Sequence, residues 1–455
     1  MKQFENVVIG FGKGGKTLAA GLAKAGQSVA LVEQSDQMFG GTCINVACIP
    51  TKSLEHSARL SAAQGGDIIA KGERYRLAVE EKRRLTADLR QKNYDKIAGA
   101  GAEIIVGTAS FQDAHHIRVA LPGGGEEVLE AGRVFLNTGA RPFVPPIPGL
   151  KESRYAYVSE GILELDVLPK RLVIIGGGYI GMEFASFFNN FGSKVTVLQD
   201  GEVFLPREDA EVADAVLDSL KARGVGVLRG AAIQSVRDVA GGALVSVEAD
   251  GQTCEFRADA ILVATGRRPN VAELDLEAAG VALTDRGAVQ VDEHLHTTAE
   301  NIWAMGDVVG GLQFTYISLD DSRIVKSALL GDGSRTTENR GAVPYSVFLD
   351  PPFSRVGLTE DEARKAGYEV KIAKLPAAAV PKAQVLRKPT GLLKAVVDAK
   401  TGKILGAHLF CADSHEVINV VKVAMDAGLP YTALRDGVFT HPTMGEALND
   451  LFAGI

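Results

Sequence analysis

The chain has few cysteines, no excess of positive charge and no long hydrophobic run, and each of these shortages excludes a class of protein. Four cysteines in 455 residues are too few for a secreted scaffold held together by disulfides. A formal net charge of -7, with the basic residues scattered, leaves no electrostatic footprint for nucleic acid. The most apolar segment, residues 172–184, is interrupted by glycines and contains Glu183, so it is too short and too polar to cross a membrane.

The composition is that of a globular enzyme. Glycine is abundant, with 51 residues, and there is no Pro/Ser-rich or repetitive tract, which favours an α/β protein of about three domains. Met1 leads directly into a predicted strand without the features of a signal peptide, so we expect a cytoplasmic protein. The densest basic stretch, residues 80–90, is interleaved with acids and is expected to form a helix with Leu85 and Leu89 on its apolar side.

Residues 5–34 predict a strand, a tight turn, a helix and a second strand. Gly10, Gly12 and Gly15 have the spacing G-x-G-x-x-G, and Glu33 ends the second strand. In such a turn one glycine makes the bend, one lets the backbone approach a pyrophosphate, and one packs the helix on the strand. The N-terminus of the helix then attracts phosphate, and Glu33 is placed to accept from ribose hydroxyls.

The same pattern recurs at residues 171–200, with Gly176, Gly178 and Gly181. Gln199 occupies the position of Glu33, and both copies have the same 23-residue spacing from the first glycine to that position. Two further segments, VFLNTGARP and ILVATGRRP, each carry a strand into a Thr-Gly pair. One such fingerprint is weak evidence, but two phased copies predict a chain that binds two dinucleotides.

The segment GGTCINVACIPTK, residues 40–52, contains Cys43 and Cys48, for which metal binding, a structural bridge and electron transfer are the alternatives. Zinc is disfavoured because neither Cys254 nor Cys411 supplies a second pair. Five residues of regular helix rise about 7.5 Å, too far for a disulfide, so the turn between the cysteines must be distorted. A bridge in such geometry is easily reduced, and a nearby helix N-terminus would lower a thiol pKa.

This segment, the two glycine fingerprints and NIWAMGDV at residues 301–308 resemble the FAD-dependent pyridine nucleotide-disulfide oxidoreductases over the whole chain. That family includes dihydrolipoamide dehydrogenase, glutathione reductase and mercuric reductase. Three more segments, GFGKGGKTLA, residues 311–321 and residues 439–452, are similar to one bacterial branch of the family, the reactive-chlorine-resistance reductases. The resemblance implies an α/β fold with two nested Rossmann-like dinucleotide-binding domains and a C-terminal α+β dimerisation domain.

The resemblance also implies domain boundaries. Residues 1–147 and 268–340 would form the FAD domain, residues 148–267 the NAD(P) domain, and residues 341–455 the interface domain of a homodimer. The sequence independently allows a boundary near residue 340, because a Pro-rich segment follows a charged, polar stretch. A capping box of Thr359 with Glu362 and a terminal Gly367 then predict a short helix.

Site residues follow from the resemblance. Cys48 would contact the flavin, and Cys43 would be the interchange thiol that attacks the substrate. Lys52 would reach the flavin near its reducible nitrogen and pair with Glu183, where a cation stabilises developing negative charge. The predicted cofactor contacts are Gly10, Gly12, Gly15, Glu33, Gly41, Thr42, Thr138, Gly139, Gly176, Gly178, Gly181, Gln199, Gly266 and Asp307, the last holding the ribityl chain of FAD. No metal-binding residues are predicted.

Two local features leave alternatives. In the family, the histidine at the position of His441 comes from the other subunit and acts as acid and base, oriented by the residue at Glu446; but Thr443 and Glu446 also spell a capping box. The family usually has glycine where this chain has Ala47, so a positive φ there would strain the turn and could shift the redox potential.

The nicotinamide nucleotide and the electron acceptor are predicted less directly. Residues 199–205 contain no arginine to read a 2′-phosphate, so NADH is favoured, with NADPH possible. The branch resemblance implies NADH-dependent reduction of copper(II), with a cysteine pair responsive to hypochlorous acid. The alternatives are a dihydrolipoamide dehydrogenase, which would share these site residues, and a flavin-loaded redox sensor of low turnover.

Overall fold

The computed structural model describes all 455 residues, which divide by contacts into two compact units. The first unit comprises Met1–Ser53, Ala78–Phe143 and Gly266–Arg340. The second unit comprises Leu54–Leu77, Val144–Thr265 and Gly341–Ile455. The domain boundaries given above stay a prediction.

The helices and strands are numbered along the chain. The first 143 residues form β1 Lys2–Ile9, α1 Lys13–Lys24, β2 Val29–Glu33, α2 Thr42–Asn45, α3 Cys48–Gln64, α4 Ile68–Ala98, β3 Glu103–Val106, β4 Thr108–Phe111, β5 His116–Ala120, β6 Glu126–Leu136 and β7 Ala140–Pro142. The next segment forms β8 Ala156–Val158, α5 Ser159–Ile162, β9 Arg171–Ile175, α6 Tyr179–Phe191, β10 Lys194–Leu198, α7 Ala210–Ala222, β11 Gly226–Leu228, β12 Ala232–Val239, β13 Gly242–Ala249, β14 Gln252–Ala258 and β15 Ala260–Val263.

The remaining elements follow residue 265. Residues 266–340 form β16 Arg267–Pro269, β17 Ile302–Ala304 and α8 Thr315–Leu330. The C-terminal segment forms β18 Tyr345–Val347, β19 Phe353–Gly357, α9 Glu360–Lys365, β20 Val370–Pro376, α10 Pro381–Val385, β21 Leu392–Asp398, β22 Ile404–Phe410, α11 Ser414–Asp426, α12 Thr432–Arg435 and α13 Ala447–Ala453.

The first unit is built on a seven-stranded sheet in the order β3-β2-β1-β6-β5-β4, with β17 paired to β6. Strands β3, β2, β1, β6 and β17 are parallel. Both faces of β1 are buried: Val7 and Ile9 lie in one apolar cluster, and Val8 lies in another. Alternate residues of a strand point to opposite faces, so a continuous apolar run such as VVI is what a parallel strand covered on both sides requires.

The second unit contains three sheets. A five-stranded parallel sheet has the order β11-β10-β9-β15-β8, and an antiparallel sheet has the order β12-β13-β14. The third, β18-β19-β22-β21-β20, is antiparallel and packs one apolar face against α11 and α13. A mixed sheet with a parallel centre, a wholly parallel sheet and an antiparallel C-terminal sheet confirm the predicted fold class.

Two local predictions have opposite outcomes. The capping box of Thr359 and Glu362 is formed in both directions at the start of α9, and Gly367 follows that helix with φ +86°. In contrast, the helix predicted over residues 80–90 is confirmed within α4, but Leu85 was wrongly placed on its apolar side, because Leu85 is 39% exposed whereas Lys82 is 1% exposed. The buried stripe of that helix runs through residues 75, 79, 82 and 86 at helical spacing, and Leu85 lies off it.

Candidate active site

The first glycine of each fingerprint makes the same sharp turn. Gly10 has φ +105° and Gly176 has φ +112°, values that residues with a Cβ atom rarely adopt. A Cβ on Gly10 would lie 2.3 Å from the carbonyl oxygen of Asn137, and one on Gly176 would lie 2.4 Å from that of Ala264. Both turns therefore require glycine for two reasons, conformation and space.

The third glycine of each fingerprint packs the helix on its turn. A Cβ on Gly15 would lie 2.3 Å from the carbonyl oxygen of Gly10, and one on Gly181 would lie 2.2 Å from that of Gly176. The two copies are thus alike in detail, as the phased repeat predicted. Neither N-cap residue, Gly12 or Gly178, supplies a side-chain cap. In α1, however, the Gly14 and Gly15 N–H groups donate to the Ser318 hydroxyl and to Oδ1 of Asn137, so the start of α1 is already partly occupied by side chains of the first unit.

The middle glycines differ. A Cβ on Gly178 would meet no atom within 4 Å, so the space beside it is clear. A Cβ on Gly12 would lie 2.5 Å from Oδ1 of Asn137, a residue that sequence reasoning missed. Asn137 accepts from the Gly15 N–H at 2.8 Å and donates to the Met305 carbonyl at 2.7 Å. The only signal for it was the asparagine of VFLNTG where the second copy has alanine.

Glu33 ends β2, and Gln199 follows β10 at the corresponding position. Their side chains make different hydrogen bonds. Glu33 accepts from the Phe11 N–H at 2.8 Å, and burial raises its pKa. Gln199 donates both of its amide hydrogens to the chain, to the carbonyls of Gly201 and Val203, each at 2.8 Å. Glu33 therefore directs its carboxylate at the first glycine turn, while the donors of Gln199 hold the loop after β10.

The remaining predicted cofactor residues lie on turns of the first unit. Gly41 has φ +79°, and a Cβ on it would lie 2.6 Å from the Cα of Gly12, so the cysteine segment runs directly against the first glycine turn. Thr42 is the first residue of α2. The Thr138 hydroxyl donates to the Asn270 carbonyl at 2.8 Å.

Gly139 and Gly266 precede the strands β7 and β16, which pair with each other. Gly139 accepts from the Asn270 N–H at 2.9 Å, and Gly266 accepts from the Phe143 N–H at 3.0 Å. Asp307 lies in a 3-10 helix, Gly306–Val309, where burial raises the pKa of its carboxyl.

The cysteine pair lies across a break between two helices. Cys43 is in α2, which ends at Asn45, and Cys48 begins α3. This confirms that the pair does not lie on one regular helix. Both are free thiols in this structure, and the Sγ of Cys48 lies 3.6 Å from the hydroxyl of Thr315, the first residue of α8.

The two thiols are electrostatically unequal. A hydrogen bond from Cys48, and a weaker one from Thr315, lowers the pKa of Cys43 to about 6, although burial acts in the opposite direction. The same hydrogen bond, followed by burial, raises the pKa of Cys48. Cys48 occupies the N-terminus of α3, and the hydrogen bond between the sulfurs favours the thiolate on Cys43. A polarised pair of this kind presents one nucleophilic sulfur.

Ala47 does not strain the turn, so the concern raised from its sequence position was wrong. It is not among the residues with positive φ. Its carbonyl accepts from the Thr51 N–H at 3.0 Å and from the Thr51 hydroxyl at 2.7 Å, which starts α3 in ordinary geometry. The break between the helices lies at Val46, whose backbone, with φ -139° and ψ 6°, is neither helical nor extended.

Lys52 and Glu183 belong to different units of the chain. The ammonium of Lys52 lies 3.4 Å from the hydroxyl of Thr51, one position before it on α3. Glu183 lies on α6, where its carboxylate accepts from the Phe348 N–H at 2.9 Å. The pairing of Lys52 with Glu183 stays a prediction.

The predicted dyad and the competing capping box are both present. The Nδ1 of His441 lies 2.9 Å from one carboxylate oxygen of Glu446, and the ring is largely exposed. The other oxygen accepts from the Thr443 N–H at 3.2 Å, and the Thr443 hydroxyl accepts from the Glu446 N–H at 3.2 Å. One carboxylate thus closes the turn of residues 443–446 before α13 and holds the imidazole.

Comparison with known families agrees with this arrangement. Residues 4–322 match the family model described as pyridine nucleotide-disulphide oxidoreductase, and residues 343–452 match its dimerisation domain. The chain is a pyridine nucleotide-disulfide oxidoreductase. Members of this family use FAD and a pyridine nucleotide, and the glycine turns before α1 and α6, the close approach at Gly41 and the carboxylate of Glu33 fit those groups.

Individual oxidoreductases of the family resemble the whole chain. A probable pyridine nucleotide-disulfide oxidoreductase of Escherichia coli, RclA, is 50% identical over 100% of this chain and 99% of that protein. A dihydrolipoyl dehydrogenase of Mycobacterium tuberculosis is 35% identical over 100% and 98%. A mercuric reductase of Bacillus cereus is 35% identical over 98% of this chain and 70% of its own length.

Solved structures include the Cu(II) complex of the HOCl-induced flavoprotein disulfide reductase RclA from E. coli. It has a TM-score of 0.93 at 50% identity and covers 100% of this chain and 99% of its own. A Cu(II) complex of the C43S mutant of that protein has a TM-score of 0.94, with the same identity and coverage.

In this oxidoreductase no group of three or more His, Cys, Asp or Glu side chains is arranged to hold a metal ion. None of its helices has the length and apolar character needed to span a membrane.

Proposed function

We propose that this protein is an NADH-dependent copper(II) reductase in the defence against reactive chlorine, acting through the pair Cys43 and Cys48. The observation that carries the proposal is the placement of the two thiols across the break between α2 and α3, beside Thr315, where the hydrogen bond between them favours the thiolate on Cys43. Full-length similarity to a reductase solved as a Cu(II) complex and described as HOCl-induced supports the choice of acceptor and of stress. The reducing cytoplasm is the expected compartment, since cysteines there stay reduced.

The proposed electron balance is simple. The first glycine turn and Glu33 would hold FAD, which would supply the hydride-accepting chemistry that delivers the two electrons of NADH to the disulfide. Cys43 and Cys48 become a thiolate and a thiol, and they return to the disulfide when two copper(II) ions each take one electron and the thiol proton leaves. One NADH therefore yields one NAD⁺, one proton and two copper(I) ions. Lys52 would supply a positive charge near the reducible nitrogen of the flavin.

The direct test offers copper(II), lipoamide and glutathione disulfide separately to the FAD-loaded protein under anaerobic conditions. NADH oxidation and chelated copper(I) are measured together. Two copper(I) ions per NADH, at a rate above that with either disulfide, support the proposal. Rapid oxidation with lipoamide alone identifies a dihydrolipoamide dehydrogenase, and no oxidation with any acceptor identifies a redox sensor.

Cys43→Ser tests the thiol mechanism, with Cys254→Ser as the control on an exposed strand residue. We expect copper(II) reduction to be lost only in the first variant. Because the E. coli relative forms a Cu(II) complex as its C43S mutant, metal binding is not a sufficient readout, and the rate of reduction must be measured. A Cys43→Ser protein that reduces copper(II) at the unsubstituted rate would show the thiol path to be wrong.

Dihydrolipoamide dehydrogenase is the second candidate, and the formed dyad of His441 and Glu446 favours it. Reduction of a disulfide substrate requires a proton for the leaving thiolate, whereas a metal ion accepts electrons without one. Similarity to dihydrolipoyl dehydrogenases over the whole chain agrees with this alternative.

We also propose that the active enzyme is a homodimer in which His441 faces the cysteine pair of the other subunit. The match of residues 343–452 to a dimerisation domain supports it. The test mixes Cys43→Ser subunits with His441→Gln subunits after reversible dissociation. If each site uses two chains, mixed dimers regain one intact site and recover lipoamide activity. If both residues act within one chain, the mixture stays as inactive as its parents.

A further inference from the structure

A buried lysine lies beneath the segment that carries Cys43, and the proposed electron path does not use it. Lys16 lies on α1, just after the first glycine turn, and is only 8% exposed. Lysine is rarely this buried unless it has a specific partner. The contacts of Lys16 are therefore informative.

The ammonium of Lys16 joins two elements of the first unit. It donates to the Gly40 carbonyl at 3.2 Å and to Oδ1 of Asn93 at 2.6 Å. The amide of Asn93 donates in turn to the Leu89 carbonyl at 2.7 Å, within α4. Lys16 thereby ties the turn that precedes α2 to the side of α4.

A second link from α4 reaches the far end of the same segment. The guanidinium of Arg90 donates to Oδ1 of Asn45 at 2.9 Å. The amide nitrogen of Asn45 donates to the carbonyls of Phe39 and Gly41, each at 3.0 Å. Residues 39–45 are thus linked to α4 at both ends, through Lys16 at Gly40 and directly by Arg90 at Asn45, with Cys43 between the two links.

The charge of Lys16 has no carboxylate to offset it. Two cations, Lys13 on its own helix and Lys96 on α4, disfavour its protonation, and Cys43 is the one acid that favours it. Burial, followed by Lys13, lowers the pKa of Lys16 to about 8. Interaction between the two groups is reciprocal, and Lys16 correspondingly favours the thiolate of Cys43.

We propose that Lys16 is a positioning residue for Cys43, holding its segment against α4 and supplying a buried positive charge that stabilises the sulfur as a nucleophile. This inference rests on the proposed function insofar as Cys43 is the sulfur that reacts with an external acceptor. The cationic groups around the pair are Lys16 and Lys52, with Lys13, Lys96 and Arg90 on the elements packed behind.

The test measures alkylation of Cys43, which needs no electron acceptor. The FAD-loaded protein, carrying Cys254→Ser, is reduced and treated with iodoacetamide from pH 5 to 9, and peptide mass spectrometry follows Cys43. Lys16→Gln keeps a hydrogen-bond donor but removes the charge. We expect it to move the midpoint of the profile upward by about one pH unit, which is about tenfold slower alkylation on the acidic limb. Lys16→Arg should restore the midpoint, and Lys13→Gln should not raise it.

Asn93→Asp provides a second variant that leaves Lys16 in place. A carboxylate at the position of the Asn93 amide would offset the ammonium charge of Lys16. We therefore expect the midpoint of the Cys43 alkylation profile to rise, as in Lys16→Gln. Retained FAD and an unchanged circular dichroism spectrum verify the fold of each variant. Unchanged midpoints in Lys16→Gln and Asn93→Asp would overturn the proposal. Slow alkylation of Cys43 in the unsubstituted protein would instead contradict the proposed function.

Discussion

His441 and Glu446 are joined by a hydrogen bond of 2.9 Å between the ring Nδ1 and one carboxylate oxygen, while the second oxygen accepts from the Thr443 N–H. The carboxylate fixes the imidazole from the side of Nδ1, so Nε2 is the nitrogen presented outward. Because the capping box fixes the carboxylate in turn, the ring orientation is established by the start of α13.

The dyad should matter more for a disulfide acceptor than for a metal ion. We expect His441→Gln to lower kcat with lipoamide by roughly 10²- to 10⁴-fold, the usual contribution of general acid–base catalysis, and to lower copper(II) reduction far less. Parallel steady-state assays measure both rates, with the exposed His56→Gln as control. Equal losses with both acceptors would contradict the idea that copper(II) takes electrons without a coupled proton.

Thr315 should help to hold the Cys43 thiolate. Its hydroxyl lies 3.6 Å from the Cys48 sulfur and lowers the pKa of both thiols. Thr315→Val keeps the shape of the side chain and removes the hydroxyl. We therefore expect the acidic limb of the pH profile of Cys43 alkylation to move upward by about one pH unit, which is within the range for a hydrogen bond to a charged group. Thr315→Ser should retain the original limb. An unmoved limb in the valine variant would rule out this role.

Glu55 should make stability fall as pH rises. Burial, and then the neighbouring Asp350 and Glu183, raises its pKa from 4.5 to about 7, despite an ion pair of 2.8 Å with Arg59. The folded state therefore binds the proton more tightly than the unfolded state. Protonated Glu55 therefore stabilises the folded state fully below pH 4.5, and this stabilisation is lost as the pH rises to about 7. The free energy of unfolding falls by about 3 kcal/mol over this range.

Urea unfolding at several pH values between 4.5 and 8 tests this sign. Glu55→Gln should remove most of the decline, whereas the exposed Glu126→Gln should preserve it. If the free energy of unfolding of Glu55→Gln declines with pH as steeply as that of the unsubstituted protein, Glu55 is not the group responsible.

Much of this architecture was predictable because it repeats. The two glycine fingerprints predict two strand-turn-helix-strand units, and φ +105° at Gly10 and φ +112° at Gly176 reproduce one turn twice. Local patterns also succeed where their partners are close in sequence, as in the capping boxes of Thr359 and Thr443.

Other features depend on residues that are far apart in sequence. Asn137 binds Met305, 168 positions away, and Lys16 binds Asn93, 77 positions away, so no local pattern announces either. The strain predicted at Ala47 was inferred from a glycine preference in the family. The φ of Ala47 depends instead on where α2 ends and α3 begins. Lys82, buried where Leu85 was expected, shows that periodicity does not choose between adjacent faces of a long helix.

Gln199 offers the sharpest test of nucleotide preference, which stays a prediction in favour of NADH. Its amide hydrogens bind the carbonyls of Gly201 and Val203. Because a glutamine amide is uncharged, Gln199 does not repel a 2′-phosphate. We expect Gln199→Glu to lower kcat/KM for NADPH about tenfold relative to NADH, because an added carboxylate opposes the phosphate while still accepting from ribose hydroxyls. The substitution also removes two hydrogen bonds from the loop, so its effect on each nucleotide alone is ambiguous.

Gln199→Leu separates these two effects. It removes the same hydrogen bonds without adding charge, and loosening of the loop after β10 should weaken both nucleotides alike. The ratio of kcat/KM for NADH to that for NADPH should therefore stay constant in the leucine variant and rise in the glutamate variant. A ratio that changes equally in both would mean that the loop, rather than the charge at residue 199, discriminates between the nucleotides.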